Sequence, residues 1–415
     1  MESDSKSATA GKVLRCKAAI CRNPGEPLVI EDIEVDPPKA WEIRIKIICT
    51  TLCHTDITYW KMKTGLVAAF PRIFGHEAVG VVESVGEHVE EFIVGDTVLP
   101  VFLPNCNECR DCKSQKSNLC TKFQNNYPPN MPRDGTSRFR DMNGEILHHF
   151  LWVSSFTEYT VVDVTHAVKI TPEIPADKAC LLGCGVSTGI GAAWKVAEVE
   201  EGSTVAIFGL GPVGLAVAEG ARQRGALKII AVDLNPGKFD IGKKFGVTDF
   251  INPKTCGEKS VSEVIKELTD GGADYCFECI GLASLMQEAF LSSRKGWGKT
   301  VILGVEMHGS QLSLNPYEFL RGRSVIGTLF GGIKPKSDIP LLAKKYLDNP
   351  PPDDLNPGPY LLHPTSIYTY RVTTILRELS LDEFISHELS FQEINKAFEL
   401  HQEGKSLRCI IWMDR

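Results

Sequence analysis

No run of apolar residues in this chain approaches the roughly 18 that a membrane-spanning helix needs, so none is expected. The first residues, Met-Glu-Ser-Asp-Ser-Lys, lack the basic end and apolar centre of a secretory leader. A soluble cytoplasmic protein is the expectation. Nor is there a surplus of positive charge: 45 basic side chains face 52 acidic ones, a net of −7, which offers a phosphate backbone no electrostatic footprint. Neither nucleic acid nor membrane is an expected partner. Low-complexity sequence is confined to one proline-rich stretch, so disorder is not the default.

What the chain has is length and cysteine. Its 415 residues are enough for two domains that each bury a core. Its 14 cysteines, in a compartment that keeps thiols reduced, are better read as metal ligands than as a disulfide framework.

From about Val13 to Val101 the pattern is short β-branched runs, Glu42–Ile48, Val79–Val85 and Thr97–Val101 among them, punctuated by Gly, Pro and Asp. That predicts an irregular β domain. From about Ser187 strands alternate with helix-length segments: Thr204–Phe208, Ile229–Asp233, Asp249–Ile251, Asp274–Glu278 and Thr300–Gly304, with helices such as Val213–Arg224 and Val261–Thr269 between them. The alternation predicts parallel crossovers and a doubly wound α/β sheet. Three stretches follow: residues 1–185 as the first domain, 186–328 as the sheet domain, and 329–415 as a return to the first, through a helix at Ile339–Leu347 and a final strand at Cys409–Trp412.

Strand Thr204–Phe208 runs into Gly209-Leu210-Gly211-Pro212-Val213-Gly214, a G-x-G-x-x-G turn that opens a helix. Gly209 permits the tight turn, Gly211 leaves room for a pyrophosphate, and Gly214 lets the helix pack close to the sheet. Asp233, 19 residues after Gly214, is placed to accept from both ribose hydroxyls and to repel a 2′-phosphate. NAD is therefore expected in preference to NADP, with Lys238 a further contact to the adenosine ribose or simply a solvated lysine.

Cys106, Cys109, Cys112 and Cys120 form C-x₂-C-x₂-C-x₇-C in a polar stretch, residues 104–121. Four thiolates so spaced can close a tetrahedral shell, the form of a structural zinc site. An iron–sulfur cluster is the competing metal. A nucleic-acid finger is disfavoured, because Lys113, Lys116 and Lys122 are mixed with Glu108 and Asp111. Elsewhere Cys53 sits in Cys53-His54-Thr55-Asp56 and Cys184 in Gly183-Cys184-Gly185, with Gly75-His76-Glu77 between them. Two thiolates and an imidazole would make the open three-ligand shell of a catalytic zinc. By spacing alone this grouping is weak, since a histidine next to a glutamate is more often a surface or packing pair and a buried cysteine more often a small hydrophobe.

Together G-H-E-x₂-G-x₅-G, starting at Gly75, the Cys-His-Thr-Asp segment, the four-cysteine lobe and the Gly-Leu-Gly-x-Val-Gly turn resemble the zinc-containing medium-chain alcohol dehydrogenases. Phe74-Gly75-His76-Glu77 and Gly404-Lys405-Ser406-Leu407-Arg408-Cys409 are most similar to plant members. The likeness runs from about Leu14 to Met413 apart from one insert. It implies a GroES-like catalytic domain beside a Rossmann cofactor domain, two zinc ions per subunit, NAD, a small alcohol or aldehyde substrate, and a homodimer paired through the last strands of its cofactor domains. It implies Cys53, His76 and Cys184 as the catalytic zinc ligands, with the carboxylates Glu77 and Asp56 beside them. His54 and Arg408 would meet the cofactor pyrophosphate, Thr188 and Val213 the nicotinamide, and Phe102 and Phe150 the substrate. Thr55 would take the alcohol proton.

The chain departs from the family at several points. Animal members carry a histidine three residues beyond the relay hydroxyl, where this chain has Thr58. Glutathione-dependent formaldehyde dehydrogenases carry an arginine four residues after the last lobe cysteine, where this chain has Gln124, so S-(hydroxymethyl)glutathione is a weaker substrate candidate. Trp152-Val153 replaces small residues, and its indole is expected to reshape the cofactor or substrate cleft. A biosynthetic reductase of a larger metabolite, or a non-enzymatic zinc-stabilised descendant, are the alternatives. The stretch 349–376, with six prolines between Pro350 and Pro364, is expected to be a surface insert.

Overall fold

The computed structural model describes residues 9–64, 68–123, 129–307, 309–348 and 379–415. Gln124 and the stretch 349–376 thus lie outside the described residues. The chain divides into two compact units: one takes the described residues up to Cys184 and from Lys334 onward, the other Gly185–Ile333. No helix among the described residues is long and apolar enough to cross a membrane.

The first unit is built on two sheets. In one, Arg72–Ile73, Leu14–Cys21, Val29–Val35, Phe139–Asp141 and Ile146–Leu147 lie side by side, all antiparallel. The other runs Ala167–Lys169, Thr97–Pro100, Glu77–Val85, Glu42–Thr51, Arg408–Trp412, Ile385–Ser390, and Tyr159–Asp163 also pairs with Glu42–Thr51. Glu42–Thr51 can be central because it buries a row of isoleucines and its buried charges are paired, Glu42 with Arg138 and Arg44 with Glu83. Ile43, Ile45 and Ile47 are fully buried, and the buried Arg44 is neutralised by Glu83 at 2.6 Å. Only Lys46 is exposed.

The register of that strand assembles the site. Thr51 pairs with Glu77 on one side and with Ile410 on the other. Cys53, two residues beyond Thr51, His76, one before Glu77, and Arg408, two before Ile410, are therefore brought to one end of the sheet. A slip of one residue in this strand would turn its own side chains to the opposite face and take the three segments out of alignment.

The second unit holds the parallel doubly wound sheet. Its strands lie in the order Asp249–Ile251, Lys228–Val232, Thr204–Phe208, Tyr275–Glu278, Lys299–Ile302, Ser324–Gly327, all parallel. The central strands are largely apolar because both faces are covered. The last strand is not among the five predicted. Ser324–Gly327 is short and largely exposed, so it carries no hydrophobic run to read. The chain order reverses beside Thr204–Phe208, the position at which open α/β sheets take ligands at the strands' carboxyl ends.

Candidate active site

Short helix His54–Trp60 starts directly after the central strand, and its Asp56 closes the first turn by accepting from the Cys53 amide at 2.9 Å. The other Asp56 oxygen accepts from the Gly75 amide at 3.0 Å and faces His76 Nδ1 at 3.2 Å. Asp56 is fully buried, so one carboxylate ties the cysteine segment to the histidine segment.

That contact also decides the histidine's tautomer. A carboxylate only accepts, so Nδ1 carries a hydrogen and, in the neutral ring that a metal ion requires, Nε2 is left with a lone pair. Nε2 is buried and has no hydrogen-bond partner. An orphaned imidazole nitrogen would be costly unless something electrophilic completes it. The sulfurs of Cys53 and Cys184 and a ring nitrogen of His76 lie within 4.8 Å of one another. The donor set fits a metal ion: two sulfurs, one nitrogen and, with only three protein ligands, an open fourth position. A hydrogen bond from Cys184 holds the Cys53 thiol well below its ordinary pKa against the effect of burial, with Arg408 assisting, while the same bond and burial push Cys184 well above its own. Burial opposes charge on His76, yet Asp56 and Cys53 together favour it, so the imidazole sits in a field that welcomes a cation.

Behind the sulfurs lies a buried ion pair, Arg408 Nε to Glu77 Oε1 at 3.1 Å, with Arg408 Nη2 3.8 Å from Cys53 Sγ. Burial raises Glu77 to about 7, with Arg408 opposing the rise. Arg408, expected at a cofactor pyrophosphate, also donates Nη1 to the Leu407 carbonyl and is 2% exposed. Thr55 Oγ1 lies 3.8 Å from Cys53 Sγ. Phe102 and Phe150, expected in the substrate pocket, stand edge-on to the His76 ring at 6.0 and 5.7 Å between centroids. Trp152 is buried with its ring 5.1 Å from that of His166.

The four-cysteine lobe is likewise assembled. Its four sulfurs lie within 4.8 Å of one another. The Cys109 amide donates to Cys106 Sγ at 3.3 Å and the Cys112 amide to Cys109 Sγ at 3.4 Å. Such bonds stabilise thiolates: although burial opposes it, the Cys112 amide helps to bring Cys109 down to about 6. Lys334 Nζ donates to the carbonyls of Cys112, at 2.9 Å, and Ser114. Nothing in the sequence marks Lys334, which is separated from the lobe by more than two hundred residues.

In the second unit Gly209 has φ +99°, and a side chain there would meet Ile280 at 2.7 Å. A Cβ on Gly214 would collide with the Gly209 carbonyl, so helix Pro212–Gln223 packs as close to the strand as a backbone allows. Nothing lies within 4 Å of where a Gly211 Cβ would be, and no side chain caps the helix there. The uncapped amides and the open cradle fit a pyrophosphate. Asp233 stands just past strand Lys228–Val232, with Oδ2 accepting from the Leu210 amide at 2.8 Å and from Lys238 Nζ at 3.2 Å. Helix Gly185–Gly191, which carries Thr188, packs so tightly on the next that a side chain at Gly189 would strike the Val213 carbonyl. Gly189, the neighbour of Thr188, thus abuts the backbone of Val213 in helix Pro212–Gln223.

One neighbour was not foreseen. His54 Nδ1 lies 3.2 Å from His401 Nε2 at the surface, a pairing between residues nearly 350 apart that no local pattern signals.

The chain matches the family models "Alcohol dehydrogenase GroES-like domain" over residues 39–172 and "Zinc-binding dehydrogenase" over residues 212–346. It is 62% identical to Alcohol dehydrogenase-like 2 of Arabidopsis thaliana, covering 99% of this chain and 100% of that protein. It is 48% identical to Alcohol dehydrogenase 1 of Petunia hybrida, over 98% and 99% respectively. Among solved structures, benzyl alcohol dehydrogenase from Acinetobacter calcoaceticus aligns with a TM-score of 0.80 at 26% identity, covering 96% of this chain and 99% of that one. Metal-ligand clusters, Gly-rich turn and full-length similarity agree, and the chain belongs to the zinc-type medium-chain alcohol dehydrogenases, a family of oxidoreductases that use zinc and a nicotinamide cofactor.

Proposed function

We propose that this protein interconverts a primary or secondary alcohol and its aldehyde or ketone with NAD, holding one catalytic and one structural zinc per chain. The observation that carries the reading is the buried trio Cys53, His76 and Cys184, with His76 Nε2 unpaired and a coordination position left open. When bound there, zinc supplies a Lewis acid for the alcohol oxygen, and the nicotinamide supplies the hydride acceptor. Cys106, Cys109, Cys112 and Cys120 would hold the second ion. Steady-state turnover of a panel of primary, secondary and allylic alcohols, S-(hydroxymethyl)glutathione included, with NAD and NADP tests it; no turnover of any would refute it.

The chain's own groups are assigned as follows. Thr55 accepts the alcohol proton. Thr58 donates its hydroxyl to the His54 carbonyl at 3.0 Å, within its own helix. Its hydrogen is committed and its hydroxyl is no base near neutral pH, so the proton leaves through water. Thr55→Ala is expected to cut alcohol oxidation by roughly 10² to 10⁴-fold while leaving NAD affinity intact, and Thr58→His to raise oxidation modestly near pH 7. Pre-steady-state oxidation and cofactor titration check both; an unchanged rate in Thr55→Ala would remove Thr55 from the relay. Phe102 and Phe150 would bound the substrate, Thr188 and Val213 the nicotinamide, and His54 and Arg408 the cofactor phosphates.

Asp233 supports NAD over NADP, because a 2′-phosphate would meet its carboxylate. Asp233→Gly, with Lys238 released from its ion pair, is expected to lower the NAD/NADP ratio of kcat/KM by about tenfold or more, as removal of one charge repulsion allows. A wild-type preference for NADP would overturn the assignment. We also assign a homodimer: the parallel sheet ends at Ser324–Gly327, where Ile326 is 47% exposed, near the exposed Tyr317 and Leu320 of the preceding helix. A cytoplasmic site of action completes the reading.

A further inference from the structure

The contact between His54 and His401 is built, not incidental. His54 is the first residue of helix His54–Trp60, and His401 stands in the last turn of helix Ile394–Gln402. The two helices are fastened to each other and to one loop. Trp60 meets Phe398 edge-on at 5.4 Å, and Phe398 lies three residues before His401, on the same helix face. The Gly25 amide donates to the Trp60 carbonyl at 2.8 Å and Trp60 Nε1 to the Glu26 carbonyl at 2.6 Å. Two residues on, the Leu28 amide donates to Asn395 Oδ1 at 2.9 Å, and Asn395 Nδ2 donates to the Leu28 carbonyl at 2.8 Å. The backbones that carry the two imidazoles are therefore fixed before the rings meet.

The ring geometry shows what kind of contact this is. His54 Nδ1 and His401 Nε2 are 3.2 Å apart and the ring centroids 5.5 Å, the separation that the N···N distance and two ring radii make when laid end to end. The nitrogens point straight at one another. Lone pairs that share a metal ion must instead converge on a point beside both rings, so the pair is a hydrogen bond and not a chelate. One nitrogen carries the hydrogen and the other accepts it.

His54 Nδ1 is thereby engaged, and Nε2 is the nitrogen its ring has left for a ligand. If His401 donates, a neutral His54 carries its own hydrogen on Nε2 and can donate to an anion. If His401 accepts, the neutral ring has a bare lone pair on Nε2, which repels one. A phosphate oxygen only accepts, so it selects the first arrangement.

We infer that His401 is a positioning residue for the cofactor: its Nε2 holds the His54 ring and sets its tautomer, so that His54 presents Nε2–H to a phosphate oxygen of the dinucleotide. His401 itself touches no part of the cofactor. With the ring orientation and tautomer chosen in advance, binding has less left to order. The inference rests on the proposed assignment of His54 to the cofactor phosphates.

The test measures NADH affinity by fluorescence titration, together with steady-state kinetics and the inhibition constants of ADP-ribose and adenosine. His401→Ala is expected to weaken NADH and ADP-ribose roughly three- to tenfold, the worth of about one hydrogen bond. Adenosine, which has no phosphate, should bind as before, a distinction that general loosening of the fold would not produce. KM for NAD should rise with no fall in kcat, and both zinc equivalents should remain. His401→Gln, whose amide offers an N–H at similar reach, should recover most of the loss. Unchanged NADH affinity in His401→Ala, or equal weakening of adenosine and ADP-ribose, would overturn the inference. His54→Ala separates this from the underlying reading: affinity lost there but not in His401→Ala refutes the role of His401 alone, and affinity kept in both removes His54 from the phosphates as well.

Discussion

His76→Ala is expected to yield a folded protein that has lost one of two zinc equivalents and practically all of its activity. The imidazole is the one nitrogen donor of its cluster, and it is positioned by Asp56, which also holds the Cys53 and Gly75 amides. Those backbone bonds survive removal of the ring, so the fold should persist. What disappears is the third ligand, and with it a Lewis acid worth several kcal/mol of transition-state stabilisation, roughly 10³-fold or more in rate. Elemental analysis, circular dichroism and steady-state kinetics on one preparation check all three parts. Active wild-type enzyme carrying one zinc or fewer would contradict the two-site assignment, and full activity in the variant would exclude His76 as a ligand.

Replacing Cys112 by serine should have the opposite signature: little soluble protein, rather than inactive protein. Cys112 is buried in a lobe that has no regular structure beyond the one-turn helix Arg110–Lys113, and Lys334 reaches over to bind its carbonyl. Structural zinc sites contribute on the order of 10–16 kcal/mol in small peptides, comparable with the roughly 5–15 kcal/mol that holds a whole domain together. Losing the ion therefore unmoors the lobe and the start of helix Pro335–Asp348 with it. Soluble yield and zinc content after expression under zinc-replete conditions read this directly. A Cys112→Ser protein that is soluble, holds one zinc and oxidises alcohol at the wild-type rate would show that the lobe is dispensable.

The difference in legibility between these two clusters has a physical origin. Cys106, Cys109, Cys112 and Cys120 lie within one local loop, so their spacing already limits how the sulfurs can meet. Cys53, His76 and Cys184 come from three distant segments, and spacing alone left them indistinguishable from buried cysteines and a packed histidine. Only family resemblance singled them out from sequence. The same holds for Lys334 on the lobe and His401 beside His54, neither of which stands in a pattern that a reader of one sequence could weigh. The exposed last strand, Ser324–Gly327, was missed for a related reason: it is defined by pairing with Lys299–Ile302 and not by hydrophobic content.

The sequence by itself determined the α/β rhythm of the second unit, the Gly209–Gly214 turn with Asp233 after it, and the four-cysteine lobe, because each is a local matter of turn chemistry, side-chain periodicity or short spacing. The tertiary structure alone decided that Cys53, His76 and Arg408 share one sheet end, that His76 presents an unpaired Nε2, and that Arg72 has no carboxylate partner among the described residues. Those facts follow from strand register and burial, which are set by contacts between residues tens to hundreds of positions apart.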